Sequence, residues 1–146
     1  MTVPSSTRTA TPPPAPDYDE IVSVIQLYID GFNQSDITKF RQGFHENAWW
    51  ACTMPDGSLV QHPVEESLEE WVGDAFVKDW EHEILSVTQA GDVASVVLEM
   101  HSASDGPGTG WVDIHALLRI DGVWKDMNKT ATHDTRAGWA GFVGAQ

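Results

Sequence analysis

Two strands and a tight turn are encoded in the stretch Trp111-Val-Asp-Ile-His-Ala-Leu-Leu-Arg-Ile-Asp-Gly-Val-Trp-Lys-Asp-Met-Asn-Lys129. Its Asp-Gly pair stands between two runs of alternating apolar residues, a pattern that predicts a β-hairpin with a two-residue turn. The strands also carry ionisable residues that a plain core strand lacks, namely Asp113, His115, Asp126 and Lys129. The direction of each charged side chain therefore decides whether this hairpin only builds a sheet or also carries a site.

Composition narrows the classes of protein that remain. The chain has 146 residues, 41% of them hydrophobic, and seven Trp, which fits one globular domain with one core. The formal net charge of −14 repels phosphates and anionic lipid, so we expect no nucleic-acid partner and no membrane-surface partner. Cys52 is the only cysteine, which excludes an intrachain disulfide and favours a cytoplasmic location. No apolar segment is long enough to predict a membrane span.

The chain is predicted to have a folded domain over residues 17–133 between two flexible tails. Residues 1–16 are rich in Ser, Thr and Pro, and residues 134–146 are rich in Gly and Ala, so neither stretch can build a core. Asp17 is a suitable N-cap for a first helix that ends near Asn33, and Asp36 for a short second helix that closes at residues 45–47. Apolar spacing predicts a third helix over 65–78.

The remaining segments are predicted as strands. Aromatic and β-branched residues favour strands over 48–53 and 58–62, then over 81–89 and 93–103, followed by the hairpin. Helices come mostly before an antiparallel meander, which is the α+β class. Three helices over one face of a curved antiparallel sheet leave a cone whose inside can hold a ligand.

Several short motifs in this order resemble the nuclear transport factor 2-like superfamily, which includes ketosteroid isomerase, SnoaL-type polyketide cyclases, scytalone dehydratase and limonene epoxide hydrolase. The motifs are Tyr28-Ile-Asp-Gly-Phe-Asn-Gln-Ser-Asp36, Phe44-His-Glu-Asn-Ala48, Gly91-Asp-Val-Ala94 and Asp121-Gly-Val-Trp-Lys125. The lumazine-binding branch looks closest. The resemblance implies a cone-shaped α+β barrel that dimerises through its sheet, and it implies no single function because members differ in activity.

Tyr28 is the first candidate for chemistry. In the resemblance it falls on the oxyanion-hole tyrosine of ketosteroid isomerase, whereas Cys52 and Ala116 fall on the two carboxylates of that enzyme. Steroid isomerisation by that mechanism is therefore not expected. Two interpretations of Tyr28 stay open, a hydrogen-bond donor to a ligand and a core tyrosine.

Asp126 is the residue predicted to act as the acid or base. On an extended strand it shares a face with Trp124 and Asn128, so it points into the cone if Trp124 does. A carboxyl in an apolar cone has a raised pKa and can shuttle protons. The alternative is an Asp126 that pairs with a Lys or Arg on the outer face.

Asp113 and His115 are predicted to point away from the cone. They alternate with a continuously apolar set that includes Ile114 and Leu118, and an apolar set is the natural inner face. Asp113 is then expected to pair with Lys129 across the hairpin. A bulge would exchange the faces, because a slip of one residue inverts every side chain.

These observations favour an enzyme, of isomerase, cyclase, dehydratase or epoxide-hydrolase type, that works on a hydrophobic aromatic or polycyclic molecule by general acid/base catalysis. Asp126 would be the acid or base and Tyr28 the donor, without cofactor or metal, since no phosphate loop or zinc spacing occurs. A non-catalytic ligand-binding protein and a dimerisation module with a filled core are the alternatives. The predicted ligand-binding residues are Trp49, Cys52, Trp71, Met100, Trp124 and Asn128.

Overall fold

Three helices and six strands follow one another in the computed structural model, which describes residues 8–11 and 13–134. The predicted tails fall largely outside the described residues. The predicted α+β class is confirmed. The elements are α1 (Tyr18–Asn33), α2 (Ile37–Gly43), β1 (Phe44–Thr53), β2 (Leu59–Pro63), α3 (Val64–Trp71), β3 (Trp80–Ala90), β4 (Val93–Ser102), β5 (Trp111–Ile120) and β6 (Val123–His133).

The strands form one curved sheet in the order β2-β1-β6-β5-β4-β3. Neighbouring strands are antiparallel, as predicted, except that β1 runs parallel to β6. The hairpin predicted at Asp121-Gly122 joins β5 to β6, and both turn residues have the positive φ that an Asp-Gly turn requires. The hairpin therefore lies in the middle of the sheet.

The helix ends follow from local chemistry. Asp36 caps α2 as predicted, since its carboxylate accepts hydrogen bonds from the backbone N–H groups of Thr38 and Lys39. The third helix is shorter than predicted and ends at Trp71. Gly73 follows the C-cap residue Val72, and glycine weakens a helix because it loses the most backbone entropy.

The helices cover one face of the sheet, and the core lies between them. Its members come from all three helices and from the inner faces of β1, β4, β5 and β6, and the largest include Ile21, Ile25, Phe40, Leu68, Leu98 and Leu117. Half-buried tryptophans border this core at one end, where a cavity remains. In the described part of the chain, no helix has the length and apolar character needed to cross a bilayer.

A β-bulge in β6 changes the direction of the side chains that follow it. Leu117 pairs with Asp126, whereas its neighbour Ala116 pairs with Asn128, so Met127 is an extra residue on β6. The bulge inverts the alternation, so that Asp126 and Lys129 both belong to the inner face although three positions separate them. The predicted inward direction of Asn128 is wrong for the same reason.

Candidate functional site

A cavity of about 370 Å³ lies at the open end of the cone, between the helices and the inner face of the sheet. Its volume is within the range of small-molecule sites. Half of the lining residues are aromatic or contain sulfur, among them Tyr28, Trp50, Cys52, Trp71, Met100 and Trp111. The predicted places of Cys52, Trp71 and Met100 beside a cavity agree with this lining.

The inner face of the hairpin carries charge. Asp113 and His115 are fully buried, with 0% of each residue exposed, so the prediction that they point outward is wrong. The apolar residues on the opposite face of β5 point outward, and 50% of Ile114 and 37% of Leu118 are exposed. Strand alternation led to the wrong face because both faces of β5 carry apolar residues. The buried charged side chains are paired with one another rather than with solvent.

A hydrogen-bonded chain joins these charges to a residue that lines the cavity. The Tyr28 hydroxyl donates to Asp113 Oδ2 at 2.9 Å, and the same oxygen lies 3.3 Å from His115 Nε2. On the other side of the ring, His115 Nδ1 lies 2.5 Å from Asp126 Oδ2. We call Tyr28, Asp113, His115 and Asp126 the buried relay. The inward direction predicted for Asp126 is confirmed, since only 1% of it is exposed.

Two opposite charges hold the imidazole of His115 in its protonated form. Burial alone would lower the pKa of His115, but the neighbouring carboxylates of Asp126 and Asp113 outweigh it and raise that pKa to about 9. His115 is therefore an imidazolium at neutral pH, with both ring N–H groups donating. A cation inside the core is tolerated only because it is paired in this way.

The two carboxylates differ in their acidity. Burial would raise the pKa of Asp113, but the Lys129 ammonium and hydrogen bonds from His115 and Tyr28 together lower it. Burial does raise the pKa of Asp126, against the opposing effect of His115. Lys129 accounts for the difference, because its charge acts on Asp113. The pKa of Tyr28 is raised well above its usual value by burial and by Asp113.

Lys129 brings a second cation to the inner face. Its ammonium lies 5.6 Å from the ring centroid of Tyr28, 5.4 Å from Trp50, 5.1 Å from Trp71 and 5.9 Å from Trp111. At such distances an ammonium is attracted by the ring quadrupole. We call these four rings the aromatic cage. Strand alternation did not predict this cage, because the inward direction of Lys129 depends on the bulge.

The predicted ion pair between Asp113 and Lys129 is not formed as expected. The strand register places Lys129 opposite His115, and Ala131 opposite Asp113. Among the described residues, no carboxylate lies within 4.0 Å of the Lys129 ammonium. Lys129 therefore acts on Asp113 through space.

Three predicted ligand-binding residues, Trp49, Trp124 and Asn128, do not line the cavity. Trp49 is 41% exposed, and its backbone carbonyl accepts a hydrogen bond from the side-chain amide of Asn128 on the outer face. Trp124 is buried as predicted, but its indole N–H donates to Asp17 Oδ2 at 3.0 Å. That bond ties the hairpin to the start of α1. Asp17 thus bonds β6 rather than capping its helix.

Cys52 lines the cavity as a thiol. Burial raises its pKa, although Lys129 opposes the increase. A thiol with a raised pKa is a weak nucleophile at neutral pH. Cys52 therefore contributes contact surface to the cavity rather than a reactive thiolate.

Solved structures share this fold. An NTF2-like protein of unknown function from Shewanella baltica is 24% identical, covers 80% of this chain and 92% of its own, and has a TM-score of 0.69. A protein of the same description from Silicibacter pomeroyi is 19% identical, with 80% and 94% covered and a TM-score of 0.67. An uncharacterized protein with a cystatin-like fold from Caulobacter vibrioides is 19% identical, with 82% and 90% covered and a TM-score of 0.60.

At these identities the likeness concerns the fold and no activity. No curated protein matches the chain. The model of one protein family, described as "Putative lumazine-binding", matches residues 16–131. The chain therefore belongs to that family, and it shares its fold with NTF2-like proteins.

Proposed function

We propose that the protein is an enzyme that uses general acid/base catalysis on a hydrophobic, aromatic or polycyclic small molecule. The observation that carries this proposal is the buried relay, which runs from Asp126 to a hydroxyl beside the cavity. Buried ionisable groups with shifted pKa values beside a concave apolar site are typical of active sites.

Tyr28 is the member of the relay that lines the cavity, so it is the proposed catalytic residue. The Tyr28 hydroxyl gives its proton to one atom of the substrate and takes a proton from the His115 imidazolium through Asp113 Oδ2. The reverse transfer removes a proton from another atom of the substrate and restores the imidazolium. Because the relay ends the cycle with the protons it began with, isomerisation, cyclisation, dehydration and epoxide opening all fit.

Asp126 is a positioning residue in this proposal, which refines the role predicted from the sequence. Its carboxylate contacts His115 and is buried away from the cavity, so it acts on the substrate only through the imidazolium and Asp113. His115 supplies the proton that Asp113 Oδ2 passes to Tyr28. Two buried oxygens, Asp113 Oδ1 and Asp126 Oδ1, have no hydrogen-bond partner among the described residues. Each can therefore accept a further hydrogen bond within the relay.

A flat ligand suits the cavity, since tryptophan faces form much of its wall. The family description points to the same class, because lumazine is a flat heteroaromatic molecule. To test the proposal, a panel of aromatic metabolites is screened by quenching of tryptophan fluorescence. Each compound that binds is then incubated with the protein and followed by mass spectrometry and absorbance.

Turnover that is lost in Tyr28→Phe and strongly decreased in Asp126→Asn, with ligand affinity retained, supports the enzyme. Tyr18→Phe is the matched control, because Tyr18 is exposed at the start of α1. Full turnover in Tyr28→Phe contradicts the proposed role of the relay.

A non-catalytic binding protein is the second candidate. It is favoured by the enclosure of Asp113, His115 and Asp126, none of which is more than 1% exposed. In a protein that only binds its ligand, the relay would serve to hold Tyr28 and Lys129 in place. This candidate predicts that every bound ligand is recovered unchanged, and that Asp126→Asn alters neither ligand affinity nor ligand chemistry.

We also propose that the protein is a cytoplasmic homodimer that associates through the outer face of the sheet. Val93, Val97, Ile114 and Leu118 lie on that face in directly paired positions of β4 and β5. Exposed apolar side chains that adjoin one another indicate an interface more often than isolated ones do. The superfamily resemblance implies the same arrangement.

A further inference from the structure

We propose that Lys129 is the anion receptor of the cavity, and that the natural ligand is an aromatic molecule bearing an anionic oxygen such as a carboxylate. This inference rests on the proposed function, since it concerns the same cavity, and it specifies the class of ligand that the cavity takes. The arrangement that carries it is an inward lysine, set in an aromatic cage, whose ammonium has no hydrogen-bond acceptor among the described residues.

The direction of Lys129 is built into the sheet. Without the extra residue Met127, the alternation that places Asp126 inside would place Lys129 on the outer face. Bulges are typical of positions where a strand aims a side chain at a site. The chain thus interrupts the regular pairing of its central hairpin, and the result is a cation at the cavity.

The aromatic cage determines the sign of the charge that the ligand can carry. Four ring faces around one point form a site for a cation, and such cages bind ammonium ligands in other proteins. Here the ammonium of Lys129 already fills the cage. A cationic ligand would meet a like charge in the place that would otherwise attract it.

The ammonium of Lys129 retains hydrogen-bonding capacity. It has three N–H donors, and aromatic faces are weak acceptors compared with oxygen. Among the described residues, neither an oxygen nor a nitrogen accepts a hydrogen bond from it. A ligand carboxylate placed against Nζ supplies strong acceptors and the opposite charge, and its aromatic part then lies among Trp50, Trp71 and Trp111.

The surrounding charges leave Lys129 as the single point of attraction for an anion. The lining of the cavity includes Glu70 and Asp105, and Lys129 is its only cationic member among the described residues. The whole chain carries a net charge of −14. An anion is therefore repelled from the rest of the cavity and is oriented by one residue.

Lys129 offsets the charge of the buried relay, in which two carboxylates share one imidazolium, but it does so without contacting either carboxylate. Asp113 and Asp126 both contact the imidazolium of His115 directly, whereas Lys129 lies beyond ion-pair distance of either. A lysine that served only as a counterion would be expected to contact its carboxylate. The free side of the ammonium faces the aromatic residues that line the cavity.

The test compares three probes of one shape, 2-naphthoate, 2-naphthamide and 2-(aminomethyl)naphthalene, by quenching of tryptophan fluorescence at pH 7. We expect 2-naphthoate to bind at least about tenfold more tightly than the amide, and the amine to bind more weakly than both. In Lys129→Met the preference for the carboxylate disappears, and the amide retains its affinity. Lys39→Met removes one positive charge from the surface of α2 and keeps the preference.

Equal affinity for the carboxylate and the amide in the wild-type protein overturns the inference while leaving an aromatic cavity in place. A preference that persists in Lys129→Met also overturns it, even if that variant is destabilised, because binding itself reports a folded cavity. If none of the three probes binds, the inference and the cavity on which the proposed function depends both fail. None of these outcomes depends on turnover. A failure of the enzyme proposal can therefore be distinguished from a failure of the inference about Lys129.

Discussion

The imidazole of His115 and the carboxylate of Asp126 are joined across the central hairpin at 2.5 Å, and both are buried. Eleven residues separate them in sequence, and adjacent strands bring them to the same inner face. Such a pair would be destabilising in isolation, since each ion loses its hydration. It is stabilised here by a second carboxylate, a tyrosine hydroxyl and a nearby ammonium.

The stability of the protein is expected to fall as the pH rises above neutral. The pKa of His115 is about 9 in the folded protein, against 6.5 for an unperturbed histidine. A raised pKa contributes stability that is fully present below about pH 6.5 and is lost as the pH rises toward 9, on the order of 3 kcal/mol for this shift. Urea unfolding at pH 6, 7.5 and 9 measures it. The control variant His62→Gln, which changes an exposed histidine, should show the same decrease. A free energy of unfolding of the wild-type protein that stays unchanged over this range argues against a buried imidazolium.

Tyr28→Phe is expected to destabilise the protein by about 1–2 kcal/mol, because Asp113 loses a buried hydrogen bond. The pKa of Asp113 should rise, since that hydrogen bond stabilises the charged form. The other tyrosine provides the control, because Tyr18→Phe changes an exposed side chain and should leave stability unchanged. Equal stability of the two variants would show that the bond from Tyr28 to Asp113 contributes nothing measurable.

Gly31→Ala is expected to destabilise the contact between α1 and α2. A Cβ at this position would lie 2.8 Å from ring atoms of Phe40, which is itself fully buried. Overpacking of this kind costs about 1–3 kcal/mol and outweighs the better helix propensity of alanine. Gly43→Ala is the control, since a Cβ there would make contacts no closer than 3.4 Å. Denaturant unfolding compares the two, and a Gly31→Ala variant as stable as the wild type contradicts the tight packing.

The double variant Ile114→Lys/Leu118→Lys is expected to produce a monomer if the outer face of the sheet is the dimer interface. Both side chains are exposed in the isolated chain, so the change should leave the fold intact. Sedimentation equilibrium gives the mass. Tyr18→Lys, which adds a charge at an exposed position on α1, should remain a dimer. A wild-type protein that is already monomeric at micromolar concentration contradicts the proposed dimer interface.

The fold could be predicted from local chemistry, whereas much of the candidate site could not. The Asp36 cap and the Asp121-Gly122 turn depend on residues close in sequence, and the hairpin with its flanking strands follows from alternation. The directions of Asp113 and His115 depend on which of the two faces of β5 the helices cover, and the sequence of β5 favours the wrong one because its other face is continuously apolar.

The bulge is the other feature that the sequence did not disclose. Alternation along β6 correctly places Asp126 inside but continues to Asn128, because nothing in the residues marks Met127 as the extra position. The prediction therefore exchanged the sides of Asn128 and Lys129. A buried charge network also resembles an exposed face in sequence, since both consist of ionisable residues in alternate positions.

Titration of His115 by two-dimensional NMR of its imidazole nitrogens tests the buried relay most directly. In the wild-type protein, both ring nitrogens should stay protonated through neutral pH, and the pKa should be about 9. Asp126→Asn should lower that pKa, because it removes the negative charge beside Nδ1. A wild-type His115 that titrates at or below 6.5 would contradict the relay, and with it the proposed route of the proton to Tyr28.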